Sequence, residues 1–310
     1  MKTLSRAAAA AAIALSLSVS LGAQWPSYPT PGIPRTADGK PILDAPTPRT
    51  PDGKVDFSGI WQLPGFGGGG GGAGAGAGAG RGRAAGAPAA APAPTPAPDP
   101  NAIPRSQFFE VAGRGANLPL QPWAAELKKK RMADNSKDNP DVWCLPIGLM
   151  QYHNHPQPRQ IVQTKNLMLI TYESNYGLRY IYMDGRPAPN NDPTPWWFGY
   201  SRGWWEGNDT LVVETTNFRG DERAGWLDVN GSPYTDALKM TERFRRPNFG
   251  TMEIDVTIDD PKAYTKPFTV RVNHRIMVDS EMFEFICNEN ERSSHHIEPP
   301  EWTKKPEPAK

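Results

Sequence analysis

Two cysteines are all that the 310 residues contain. That is too few for a disulfide-dense scaffold or a four-cysteine zinc site. Neither sign of charge dominates, with 34 Lys and Arg against 33 Asp and Glu. The balance excludes a nucleic-acid binder held by a basic face and a strongly acidic disordered chain. After residue 23 no apolar stretch approaches the roughly 20 residues that a membrane-spanning helix needs. No Gly-x-Ser-x-Gly nucleophile elbow occurs. The one long glycine run lies in no strand-to-helix context, so it is not a phosphate loop and no cofactor is expected. Gly and Pro are plentiful instead, at 30 and 34 residues. Much of that excess sits in one block, so part of the chain does not pack.

The N-terminus carries Lys2 and Arg6, then an apolar run from Ala7 to Leu21, then the small residues Gly22 and Ala23. This is the layout of a cleaved signal peptide over residues 1–23, and it predicts a periplasmic or secreted protein with no integral membrane span after processing. Residues 24–54 read as an extended Pro-rich arm. They hold a short echo, Pro34-Arg35-Thr36-Ala37-Asp38-Gly39-Lys40 and Pro48-Arg49-Thr50-Pro51-Asp52-Gly53-Lys54. Asp-Gly favours tight turns. Residues 55–64 predict a first strand. Residues 65–104 are a low-complexity linker of Gly, Ala-Gly and Ala-Pro alternation, which has too little side-chain surface to offset its ordering entropy. Residues 105–296 read as a β-barrel domain and 297–310 as a disordered tail.

Within the globular part, Pro122 to Met132 predicts a helix, with Pro at its start and a Lys-Lys-Lys-Arg cluster near its C-terminal end. Short β-branched and aromatic runs follow: 159–164, 167–173, 178–183, 199–205, 210–216, 238–245, 251–258, 268–276 and 282–287. Met252, Ile254, Val256 and Ile258 alternate with Glu253, Asp255 and Thr257, the pattern of a strand with one wet face. Short links favour antiparallel neighbours, and a meander of this length hides its edges best by closing. The fold expected is mainly β: an antiparallel meander closing into a lipocalin-like barrel, with one short N-terminal helix and a disordered Gly/Ala/Pro insert.

Two resemblances add to this reading. Asp56-Phe57-Ser58-Gly59-Ile60-Trp61 resembles the Gly-x-Trp opening strand of calycins, the lipocalins and their relatives. A second set covers over half the chain: Pro122-Trp123-Ala124-Ala125, Cys144-Leu145-Pro146, Thr210-Leu211-Val212-Val213-Glu214-Thr215, Thr241-Glu242-Arg243-Phe244, Asp259-Asp260-Pro261-Lys262-Ala263-Tyr264 and Cys287-Asn288-Glu289-Asn290. These motifs are similar to those of a paralogue-rich family of exported soil-bacterial proteins. That resemblance implies export and brings no established activity.

Few residues invite chemistry. Glu242 shares a strand face with Leu238, Met240 and Phe244, and His274 lies between Val272 and Ile276 on the dry face of its own strand. An ionisable group facing a β interior is costly unless paired. If the barrel brings these two together, Glu242 and His274 form a candidate catalytic pair, with a carboxylate-oriented imidazole as general base; otherwise they are a satisfied interior pair. His153-x-His155 has the spacing of two metal ligands and would need His295, His296 or a carboxylate to complete a set. Asn154, Pro156 and Pro158 mark that segment as a loop, and no metal site is assigned. Trp204, Trp205, Trp226, Asp228 and Tyr234 are candidate ligand-binding residues near a barrel mouth, since aromatic rings stack on flat ligands. A Trp-Trp pair on a strand sends one ring to each face. Cys144 and Cys287 both lie in the globular part, and export places them in an oxidising compartment, so they are expected to form a disulfide.

Three functions follow as expectations. One is a binding module whose lumen holds a small apolar or aromatic ligand. The second is a cofactor-independent hydrolase or isomerase in the same lumen, using Glu242 and His274. The third is a cell-envelope interaction protein with the Gly/Pro segment as spacer. A cavity holding an acid and a base would favour the enzyme, and a filled interior the third.

Overall fold

Nine short strands arranged in chain order around one axis form a closed barrel in the computed structural model, which describes residues 28–64, 102–189, 195–221, 223–289, 292 and 296–303. The expected leader and nearly all of the low-complexity block lie outside these residues. The strands are β1 (Gly59–Gln62), β2 (Arg159–Gln163), β3 (Leu167–Tyr172), β4 (Leu178–Tyr182), β5 (Tyr200–Glu206), β6 (Thr210–Thr216), β7 (Lys239–Asn248), β8 (Thr251–Asp259) and β9 (Phe268–Met277). Two α-helices among the described residues precede the main run of strands: α1 (Pro122–Ala133) and α2 (Leu149–Asn154).

The barrel departs from a pure meander at one junction, where β4 and β5 pair in parallel. Parity gives the reason. In an up-and-down meander with an odd strand number, the first and last strands point the same way and must close in parallel. One parallel pair reverses the remaining strands, so β9 meets β1 antiparallel, with Trp61 opposite Ile276. The strand before the low-complexity block therefore completes the wall, between β2 and β9. Gly59 takes a φ of +135°, a conformation that side chains rarely adopt, and a Cβ there would lie 3.3 Å from Ile276. Trp61 is buried and donates its indole N–H to the Phe57 carbonyl at 2.9 Å.

The alternation expected of the late strands holds. Met252, Ile254, Val256, Ile258, Val270 and Val272 are all buried in the core. Gly207, in the Glu-Gly-Asn-Asp link, adopts φ +65° and turns β5 into β6. The expected strand at 282–287 is not one; that segment is irregular, with Phe283, Phe285 and Ile286 exposed. The β9–β1 pairing leaves no edge for it to join. The echo in the arm folds into two equivalent turns. Thr36 and Thr50 each bond the third residue on (2.9 Å from Gly39 and Gly53), and Arg35 and Arg49 each donate to the following glycine's carbonyl at 2.8 and 2.9 Å. Beyond the turns, Arg49 reaches Asp209 at 2.6 Å and Arg35 pairs with Asp279, so the arm is stitched to the barrel.

Cys144 and Cys287 are joined by a disulfide, with Cα atoms 5.4 Å apart. No helix among the described residues is long and apolar enough to cross a membrane.

Candidate functional site

The short helix α2 determines what the lumen contains. Every one of its six residues is buried. Gly148 precedes it and must be glycine, because a Cβ there would lie 2.2 Å from the Trp226 carbonyl oxygen. Pro156 follows, and the residue before a proline is disfavoured in helical conformation, so the helix stops by His155. The His153-x-His155 segment was expected to be a loop; His153 and Asn154 instead end this helix, and His155 caps it. Six residues are too few for a readable period, and packing rather than propensity holds them. Tyr152 packs on Tyr172 and Phe198, with ring centroids 4.5 and 5.2 Å away.

His153 enters the lumen from α2 and meets Glu242 of β7, its Nε2 lying 2.7 Å from Oε1. Glu242 also takes a two-pronged ion pair from Arg179 of β4, at 2.9 Å through Nη1 and through Nη2 to the other oxygen. Arg179 donates further to Ser201 and Thr215, both at 3.0 Å, and these two hydroxyls bond each other at 2.9 Å. All five side chains are buried. Burial opposes ionisation of Glu242, but the Arg179 charge and the bonds from His153 and Arg179 outweigh it and hold the carboxyl down at about 2. Burial pushes the His153 imidazole below its ordinary value despite Glu242. A neutral His153 donating Nε2–H to the carboxylate leaves its Nδ1 as a bare lone pair.

A second group lies across α2. His274 of β9 is fully buried, and its Nε2–H donates to the His153 carbonyl at 3.0 Å. Arg159 of β2 donates to the carbonyls of His153 and His155 at 3.3 and 3.2 Å, and its guanidinium sits 5.6 Å from the Tyr172 ring. Burial, then the charge of Arg159, drive the His274 imidazole well below its usual range. Burial also lowers Arg159, to about 10. No carboxylate among the described residues forms an ion pair with Arg159. The side-chain atoms His153 Nδ1, Asn154 Oδ1, His155 Nδ1, Arg159 Nε and His274 Nδ1 are buried without a hydrogen-bond partner among the described residues.

Glu242 and His274 thus both face the interior, as alternation indicated, but they do not bond each other. His153 stands between them, its ring centroid 6.2 Å from that of His274. The five aromatic and acidic candidates do not form one site: Trp226, Asp228 and Tyr234 share the turn between residues 226 and 234, whereas Trp204 and Trp205 sit on β5. Trp204 is 45% exposed on the outer wall. Trp205 points the other way, as expected of adjacent strand residues. It stacks on Phe57 at 6.1 Å and lines a groove of about 300 Å³ with Lys54, Gln163 and Lys165. Trp226 is buried against Arg131 of α1, at 3.9 Å. Asp228 organises a turn, accepting from the Val111 and Ser232 backbone N–H groups at 2.8 and 2.9 Å and the Ser232 hydroxyl at 2.7 Å. Tyr234 packs edge-on against Phe218. His155 bonds Asp141 at 3.3 Å, and His295 lies outside the described residues. Among the described residues no three His, Cys, Asp or Glu side chains come together as a metal set. Arg159 and Arg179 were not among the sequence candidates, and His153 was considered only as a metal ligand. Arginine on a strand ordinarily reads as a wet face, and nothing local marks these two as inward. No family model, curated protein or solved structure matches the chain.

Proposed function

We propose that the protein is an exported binding module that holds a small molecule at the polar end of its barrel lumen, beside α2. The observation that carries this is the concentration of buried, partnerless polar atoms around Arg159, His153 and His274. Buried polar groups are ordinarily satisfied, and a local excess of unsatisfied ones calls for a ligand or ordered solvent. The site is polar, which favours a polar ligand over the apolar or aromatic one that the tryptophans suggested. Export rests on the leader-like N-terminus and agrees with the disulfide. Native mass spectrometry of full-length protein purified from the envelope fraction of its host tests the reading. A non-covalent adduct of defined mass, lost on denaturation, is expected. Adduct-free protein that gains no mass from a library of small polar molecules would contradict it.

A second reading has one observation in its favour. Glu242 orients His153 as a carboxylate orients a general base, with Nδ1 left bare. In the hydrolase or isomerase expected from sequence, the base would then be His153 and not His274. Arg179 weakens this reading, because it ties up both carboxylate oxygens.

A further inference from the structure

The buried groups left over in the lumen are of two kinds. Arg159 supplies donors: two of its N–H groups go to the His153 and His155 carbonyls, and Nε is unused. His153 and His274 supply acceptors, since each commits its Nε2–H elsewhere and keeps a bare Nδ1. The two imidazoles are neighbours, with ring centroids 6.2 Å apart, and His274 and Arg159 share the His153 carbonyl as acceptor. The formal charge here does not cancel. Arg179 is neutralised by Glu242, whereas Arg159 has no acidic partner among the described residues.

A ligand that completes this set carries one anionic group to accept from Arg159 and at least one hydroxyl to donate to an imidazole. Resting on the binding reading above, we infer that the lumen site takes a small hydroxycarboxylate, its carboxylate on Arg159 and its hydroxyl on the Nδ1 of His274. An acid without the hydroxyl leaves the acceptors unmet. A neutral diol leaves the cation unmet. Arginine suits the role because its planar fork can hold backbone carbonyls with some donors and a carboxylate with others.

Thermal melts of the full-length, disulfide-bonded protein at constant ionic strength test this, with sodium glycolate, sodium acetate, sodium chloride and ethylene glycol as probes. Glycolate is expected to raise the midpoint most and acetate less, with chloride and ethylene glycol leaving it unchanged. Two conservative variants keep the test usable if larger changes disrupt folding. Arg159→Lys retains the charge but not the fork, and should weaken glycolate binding at least tenfold. His274→Gln retains a donor for the His153 carbonyl but loses the Nδ1 acceptor, and should abolish the preference of glycolate over acetate while acetate still binds. An ethylene glycol response equal to that of glycolate would overturn the acid yet leave lumen binding standing, as would a neutral molecule found in native mass spectra. A glycolate response undiminished in Arg159→Lys would overturn the assignment to Arg159. No response to any probe, with no adduct from the native host, would overturn the binding reading as well.

Discussion

Arg179 and Arg159 enter the same lumen, both about 1% exposed, and end in opposite electrostatic surroundings. Arg179 meets a carboxylate through two nitrogens and two hydroxyls besides. Arg159 meets two backbone carbonyls and the face of a tyrosine. The first is a closed set, in which each charged group has a partner. The second is an open set, holding a buried cation next to two imidazoles with unused lone pairs. Closed polar networks rigidify a core, whereas open ones cost stability and persist where something else selects for them. On the proposed reading, the difference separates the part of the lumen that builds the fold from the part that holds a ligand.

Both sets sit near the segment that the disulfide pins, so its loss sets the upper end of the scale. The bond spans 143 residues, and the chain-entropy model gives about 4–5 kcal/mol for such a loop. Replacing both cysteines by serine should lower the unfolding free energy by up to that amount, read from urea denaturation. A loss below ~1 kcal/mol would mean that the unfolded chain gains little from the release.

Within the closed set, Glu242→Gln leaves Arg179 buried with no carboxylate. Removing one partner of a buried pair costs about 3–5 kcal/mol, and a fall of that size in urea unfolding is expected. The same carboxylate gives an acid limb. Its folded pKa lies below its ordinary 4.5, at about 2. Its contribution is therefore whole above pH 4.5 and is lost as the pH falls through 2. The stability gap between the parent protein and Glu242→Gln should narrow across that window. A gap that stays constant from pH 5 to pH 2 would show that Glu242 does not carry the charge described.

Legibility in the sequence follows the same division. The wall was readable because β-strands alternate: Met252 to Ile258 and Val270 to His274 declare their inner faces. Glu242 was readable for that reason too. Its partners were not. His153 comes from a segment 89 residues away, on a helix too short to show a period. Arg179 sits in Leu-Arg-Tyr-Ile-Tyr, where large apolar residues occupy both faces and alternation cannot tell inside from outside. Arg159 opens its strand and reads as an end-of-strand cation. The parallel β4–β5 junction was also hidden, because the link from 183 to 199 reveals its length but not its direction.

The smallest effect should come from the open set. His274→Gln keeps the bond to the His153 carbonyl, so it should shift unfolding by less than about 1 kcal/mol. A much larger loss would make His274 part of the framework.

The two arginines differ in kind. Paired melts of Arg179→Met and Arg159→Met, in buffer free of carboxylates, compare them directly. Met offers similar length and apolar bulk without charge. Arg179→Met strands Glu242 and should lower stability by about 3–5 kcal/mol. Arg159→Met removes an uncompensated buried charge at the expense of two carbonyl bonds, and should leave stability unchanged or raised. Equal and large losses from both substitutions would contradict the account, making Arg159 a structural clamp on α2 and not the floor of a binding site.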